Sequence, residues 1–182
     1  MLGIFLYVGA EVMAGDVIGP YGRRLGLGLD ETKNFTSYTL WSMVAGYCVG
    51  IFAIPGLIKQ EKALTLSALI AIVFAFLAFL TEGRLSILFI ALLGFANSLM
   101  WPAIFPLAIA GLGKFTRIGS ALLIMGIAGG AVLPQVYARL AQILPASGAF
   151  LICVLPCYLY ILYYALKGHL VGRGHIAIKR EK

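Results

Sequence analysis

Three observations predict an all-α membrane protein with six transmembrane helices. Of its 182 residues, 62% are hydrophobic and only 12% charged, with a mean hydropathy of +0.99. A soluble domain is nearer roughly 45–50% apolar and about 25% charged. Apolar stretches of spanning length, about 20 residues, recur six times, joined by short linkers such as KQEK, TEGR, GKFTR and PAS. The basic residues fall in those linkers and in the tail, as the topology rule for membrane proteins describes.

The first stretch covers residues 2–21 and carries Glu11 and Asp16. The second, 35–58, is rich in small residues (Gly46, Gly50). The third, 63–81, is nearly featureless and is expected to face lipid. The fourth, 85–112, holds Asn97, Ser98, Trp101, Pro102 and Pro106. The fifth, 118–144, is again small, with Gly126, Gly129 and Gly130, and the sixth, 148–166, is again bland. The order polar, small, bland thus occurs twice, a three-plus-three pattern of the kind many secondary transporters are built on. Short linkers make consecutive helices antiparallel neighbours. The expected organisation is a six-helix bundle over 1–166 followed by a basic cytoplasmic tail, 167–182.

Six spans put both termini on one side. Nine basic residues lie there (Lys59, Lys62, Lys114, Arg117, Lys167, Arg173, Lys179, Arg180, Lys182) against four on the other (Arg23, Arg24, Lys33, Arg84). That asymmetry favours cytoplasmic termini in the inner membrane. It also accounts for the net charge of +7 without a nucleic-acid partner. Met1 opens directly into LGIFLYVGAEVMAG, without the basic segment of a cleavable leader.

A carboxylate in mid-span is by default a functional residue, which singles out Glu11, with Tyr7 one turn earlier on the same face. The competing reading is a structural hydrogen bond to a neighbouring helix. Asn97 and Trp101 are i, i+4 neighbours. An amide offers two donors and an acceptor, and an indole a flat apolar face with one donor; sugars need that combination. Ser37 and Trp41 repeat the spacing in the second span, where Trp41 serves equally well as an interfacial belt residue. Pro134 frees the carbonyl of Gly130, and the neighbouring Gln135 either lines a cavity or serves that kink. Tyr158, Tyr160, Tyr163 and Tyr164 read as belt and lipid-facing residues, His169 and His175 as solvated. Cys48, Cys153 and Cys157 sit in apolar stretches and read as packing residues. No nucleophile–base set, phosphate loop, HExxH or dinucleotide fingerprint is present, so a transporter is expected and not an enzyme.

The run NSLMWPAIFPLAIAGLGKFTRIGSALLIMGIAGGAVLPQVYARLA resembles the tenth and eleventh spans of the fucose/glucose–galactose permease branch of the major facilitator superfamily. FLYVGAEV resembles that branch's seventh span, SYTLWSMVAGYCVG its eighth and PCYLYILYYALKGH its twelfth. The resemblance covers essentially the whole chain and corresponds to the second six of twelve spans. It implies half of a major facilitator fold and a sugar:proton symporter working by alternating access. It further implies a separate N-terminal six-helix half as partner, a proton as coupling ion and no cofactor. The substrate-binding residues it suggests are Tyr7, Glu11, Trp41, Asn97, Trp101 and Gln135. Tyr47 stands where the family usually has an arginine, which bears on substrate range. The expectation from another class is a non-transporting membrane scaffold or a truncated gene remnant.

The orientation is testable with single cysteines. One placed in the tail should stay unlabelled by an impermeant maleimide in intact cells, and one replacing Gly83 should be labelled. Labelling of the tail from outside would reject the topology.

Overall fold

In the computed structural model, which describes residues 1–54 and 56–171, helix occupies all six predicted stretches, and no strand occurs among the described residues. The helices are α1 (Leu2–Gly15), α2 (Ile18–Arg24), α3 (Leu29–Thr32), α4 (Phe35–Ala53), α5 (Gln60–Leu80), α6 (Gly83–Ser98), α7 (Met100–Ile109), α8 (Thr116–Met125), α9 (Gly129–Leu140) and α10 (Ala146–Leu166). Four stretches are long and apolar enough to cross a membrane: 60–80, 83–109, 113–140 and 146–166. A fifth is counted if α1 and α2, bent by 51°, are one broken span. The 19 residues of α4 are long enough, but with its Ser, Thr, Tyr and Gly content it does not reach that apolarity. Among the described residues, length and composition alone thus show four or five spans, and they do not show the six that the sequence suggested. Of the expected tail, residues 172–182, including Arg173, His175, Lys179, Arg180 and Lys182, lie outside the described residues.

The break between α1 and α2 shows what the bundle must solve. Where a helix stops, its last carbonyls lose their partners, and hydrocarbon supplies no water to replace them. Two threonines of α4 do so: Thr39 Oγ1 donates to the Ala14 carbonyl at 3.0 Å and Thr36 Oγ1 to that of Gly15 at 2.9 Å. α2 ends differently. The Gly26 amide donates to the Arg23 carbonyl and the Leu27 amide to that of Gly22, with Gly26 at φ +84°. This is a Schellman closure, which needs a residue without Cβ at the left-handed position. In the fourth stretch the helix is interrupted at Leu99. Pro102 consequently falls in the first turn of α7, where a missing amide costs nothing.

Glycine and alanine bring the helices together, as small residues do between membrane helices. Gly46 and Gly94 set the α4–α6 seam: a Cβ on Gly46 would overlap Ser98 Oγ and approach the Phe95 carbonyl, and one on Gly94 would overlap the Thr39 carbonyl. Ser42 Oγ accepts from the Phe95 amide across the same seam at 3.1 Å. The third stretch, expected to be bland, hides a periodic face. Ala63, Leu64, Ser67, Ala68, Ala71, Ala75 and Ala78 of α5 are buried, and α5 packs on α6 and α10. α1 touches α4, α6, α7, α9 and α10 and is the central helix. A buried relay ties three helices at the α2 end. Tyr21 donates to Ser86 Oγ (2.5 Å), which donates to the Ala78 carbonyl (2.6 Å).

Tyr158, expected to face lipid, is 0% exposed, because it shares a buried face of α10 with Phe150, Val154, Ile161 and Ala165. Tyr163, on the other side of the helix, is exposed. His169, expected in solvent, is 7% exposed. Its Nδ1 lies 3.0 Å from the Tyr164 carbonyl and its Nε2 3.7 Å from Glu61.

The closest crossing is that of α1 with α9, where a Cβ on Gly129 would collide with the Phe5 carbonyl. Gly129→Ala should lower stability in detergent by about 1–3 kcal/mol, as overpacking does. Gly148→Ala, whose new methyl meets only a Phe79 ring atom at 4.0 Å, should stay within about 0.5 kcal/mol of the parent. Thermal unfolding of the two variants compares them directly.

Candidate functional site

Glu11 lies on α1 just over one turn before the break. Tyr7, one turn earlier, donates its hydroxyl to Glu11 Oε1 at 2.6 Å. The spacing of four puts both groups on one helical face, and the short distance is that of a hydroxyl bonded to a carboxyl group. The Tyr7 ring sits 6.2 Å from the indole of Trp101, tilted by 52°, and Trp101 stacks on Phe105 at 5.9 Å. Such offset and tilted ring pairs are favourable beyond their buried area. Glu11 is half-buried, Tyr7 buried and Trp101 half-buried. The centre is thus one carboxyl group, held by a phenol, beside an aromatic surface.

The break at Leu99 separates the other expected pair. Asn97, near the end of α6, is 0% exposed. Neither its oxygen nor its nitrogen completes a hydrogen bond, and the same holds for the hydroxyl of Tyr158, although the two side chains adjoin. Asn97, expected among the substrate-binding residues, is sealed among helices, next to the centre and not on its surface. Trp41 is 72% exposed. It precedes Tyr47 by six residues and so lies about 120° from it around the helix, while Tyr47 is the α4 residue that interacts with Glu11 and Tyr7. Gln135 is exposed on α9, about 160° around from Leu133, which together with Gly129 packs against α1. The structure thus brings together Tyr7, Glu11 and Trp101, sets Asn97 beside them, and places Trp41 and Gln135 elsewhere.

Two neighbours, Tyr47 and Tyr158, were not among the binding residues expected from the sequence. Tyr47 lies one residue past Gly46, which marks the α6-facing side of α4, and lines a narrow cleft of about 200 Å³ with Leu99 and Pro102. Tyr158 interacts with Glu11 from α10. Its signal was the spacing of Phe150, Val154, Tyr158 and Ile161, an apolar stripe at helical period. Asp16 is exposed and lines a cleft of about 450 Å³ with Arg23 and Lys33. Among the described residues no three His, Cys, Asp or Glu side chains group closely enough to hold a metal.

With this geometry in place, comparison with known proteins is specific. The chain is 35% identical over 170 residues to the glucose/galactose transporter of Brucella abortus, covering 92% of the chain and 41% of that protein. It is 34% identical over 173 residues to a putative glucose/galactose transporter of Helicobacter pylori, and 26% identical over 166 residues to the L-fucose-proton symporter of Haemophilus influenzae. No family model matches it. Its fold superposes on the outward-conformation crystal structure of the major facilitator superfamily transporter FucP with a TM-score of 0.84 at 26% identity, covering 90% of the chain and 40% of FucP. The chain therefore has the fold of part of a major facilitator superfamily transporter. In sequence it is homologous to glucose/galactose transporters and L-fucose-proton symporters, and it spans about two-fifths of the length of these relatives.

Two tyrosines make opposite predictions. Tyr7→Phe strips a half-buried carboxyl group of its hydrogen bond and should cost about 1–3 kcal/mol. Tyr158→Phe removes a hydroxyl without a bond and should change stability by less than about 0.5 kcal/mol. Denaturation of the purified variants in the same detergent measures both.

Proposed function

We propose that this chain forms one half, the C-terminal six-helix half, of a proton-coupled sugar transporter. Its substrates are hexoses of the glucose, galactose and fucose type. The observation that carries the reading is the Glu11–Tyr7 pair beside Trp101, on the central helix of a fold shared with part of a sugar transporter. The Glu11 carboxyl group, held in place by the buried Tyr7 hydroxyl, bonds sugar hydroxyls, and an indole covers a sugar's C–H face. Glu11 is also the mid-span group able to take up and release a proton.

One half gives one wall. Alternating access needs two bundles rocking about a site between them, so an N-terminal six-helix half is the partner this reading requires. The outward faces differ in a way that supports it. α5 turns Leu66, Leu69, Val73, Phe76 and Phe79 outward, a surface suited to lipid. α4 and α9 are mixed: beside Leu40, Val44, Ile51, Phe52, Val132 and Val136 they expose Ser37, Trp41, Cys48, Gln135, Ala138 and Arg139. Lipid does not favour the polar groups among these, and a second half does. On this reading Trp41 and Gln135 belong to the seam, where they complete the cavity, and Asn97 supports the wall from behind. Both termini are cytoplasmic, in the inner membrane.

The chain alone should give no uptake of labelled galactose or fucose into proteoliposomes, and uptake should require a six-helix partner. In the reassembled transporter Trp101→Leu should weaken sugar binding about tenfold, equivalent to about 1.4 kcal/mol, while Tyr163→Leu leaves it unchanged. Uptake by the chain alone would overturn the half-transporter reading. No uptake with the partner present would favour a non-transporting scaffold.

A further inference from the structure

A second cleft, of about 580 Å³, opens between the start of α4 and the start of α6. That volume is within the rough 300–1,000 Å³ range of small-ligand sites. It is separate from the Glu11 centre. Thr36 and Thr39 hold α1 on one flank of α4, whereas Tyr38, a cleft residue, lies about 100° around the helix from Thr39, on the flank away from α1.

The lining has two tiers. Asp30, Glu31, Asn34 and Arg84 form the outer tier, at or before the first turns of α4 and α6. Tyr38, Leu88 and Ala91 form the inner one. Leu88 and Ala91 lie five and eight residues beyond Gly83, about 7–12 Å deeper at the helical rise. Polar groups at the helix ends above an apolar groove between two membrane helices match the shape of an amphiphile standing in a bilayer.

The charges specify its head. Both carboxylate oxygens of Glu31 accept from one Arg84 nitrogen, Nη2, at 3.2 and 3.1 Å. Arg84 keeps other N–H groups for an anionic oxygen, since a guanidinium has five, and each carboxylate oxygen keeps a lone pair for a further donor. Asp30 is exposed, and among the described residues its carboxylate pairs with Lys33, at 3.0 Å. The side chains of Asn34 and Tyr38 make no hydrogen bond among the described residues. A purely anionic head would satisfy Arg84 and be repelled by Asp30 and Glu31. A sugar would leave Leu88 and Ala91 without an apolar partner. A head with both a phosphate and an N–H-bearing ammonium matches both tiers.

We propose that this cleft binds a phospholipid with a primary-amine headgroup, of the phosphatidylethanolamine type. Arg84 takes the phosphate, the Glu31 and Asp30 carboxylates take the ammonium, and one acyl chain lies along Leu88 and Ala91. The proposal is independent of the transport reading and needs only that α4 and α6 lie in a bilayer.

Native mass spectrometry of the full chain in detergent tests it, with phosphatidylethanolamine, phosphatidylcholine and phosphatidylglycerol of identical acyl chains added in turn. Ethanolamine lipid should be retained about tenfold more than the other two, the difference made by one charge-assisted hydrogen bond. Arg84→Gln and the pair Asp30→Asn with Glu31→Gln should each abolish that preference. Leu88→Trp, which fills the groove, should reduce retention of all three lipids, and Leu66→Ala on α5 should reduce none. Equal retention of the three headgroups, preference for phosphatidylglycerol, or an ethanolamine preference that survives Arg84→Gln would overturn the proposal. So would displacement of the lipid by galactose, which would make the cleft a sugar site.

Discussion

Ala14 and Gly15 lose their helix partners at the break in the first stretch, in a medium that offers no water, and the hydroxyls of Thr39 and Thr36 take their place. The rest of the bundle depends on that substitution. An unpaired carbonyl in hydrocarbon costs several kcal/mol, so α1 can bend beside Glu11 only where another helix stands ready with donors. α4 is that helix, and its polarity, which keeps it below the apolarity of the other long helices, follows from the task. The same reasoning accounts for Ser42 on the Phe95 amide and for the Tyr21–Ser86–Ala78 relay. Each is a polar side chain spent on a neighbouring helix and not on solvent.

Close approach is the second requirement. Neighbouring backbones must nearly touch, and glycine allows it: Gly9 and Gly129 between α1 and α9, Gly46 and Gly94 between α4 and α6. This packing also fixes the functional centre. α1 is gripped on several sides, so Tyr7 and Glu11 hold their bond with little freedom, and the Trp101 indole lies 6.2 Å from the Tyr7 ring. A rigid backbone that presents a carboxyl group, a phenol and an indole to one side is what preorganised recognition of a small polar ligand needs. Asn97, one turn before Trp101, lies in the interior.

Helix existence was legible in the sequence because apolarity in runs of spanning length has few other meanings. The mid-span carboxylate and its tyrosine were legible too, since the spacing of four holds within an unbroken helix. Reasoning by spacing failed where the helix did not continue. Asn97 and Trp101 are i, i+4 on paper, but a break lies between them. Trp41 and Gln135 carried suitable chemistry, yet which side of a helix faces which neighbour is decided by glycine contacts between distant segments, and one sequence does not display those pairs. Tyr158 was misplaced because a cluster of tyrosines suggests a belt, whereas the buried stripe through Phe150, Val154 and Ile161 recruits only one of them. The alanine stripe of α5 was hidden for a related reason: in a uniformly apolar segment, size and not polarity marks the packed face.

The central claim is that Trp101 and its neighbours form a wet, ligand-facing wall and that the far side of α10 meets lipid. Cysteine replacing Trp101, in a chain whose own cysteines are changed to alanine and which is reconstituted with its six-helix partner, measures this most directly. An impermeant maleimide should modify that position, galactose or fucose should slow the reaction, and a cysteine replacing Tyr163 should remain inert. Modification at position 163 with none at 101, or modification at 101 that no sugar slows, would contradict it.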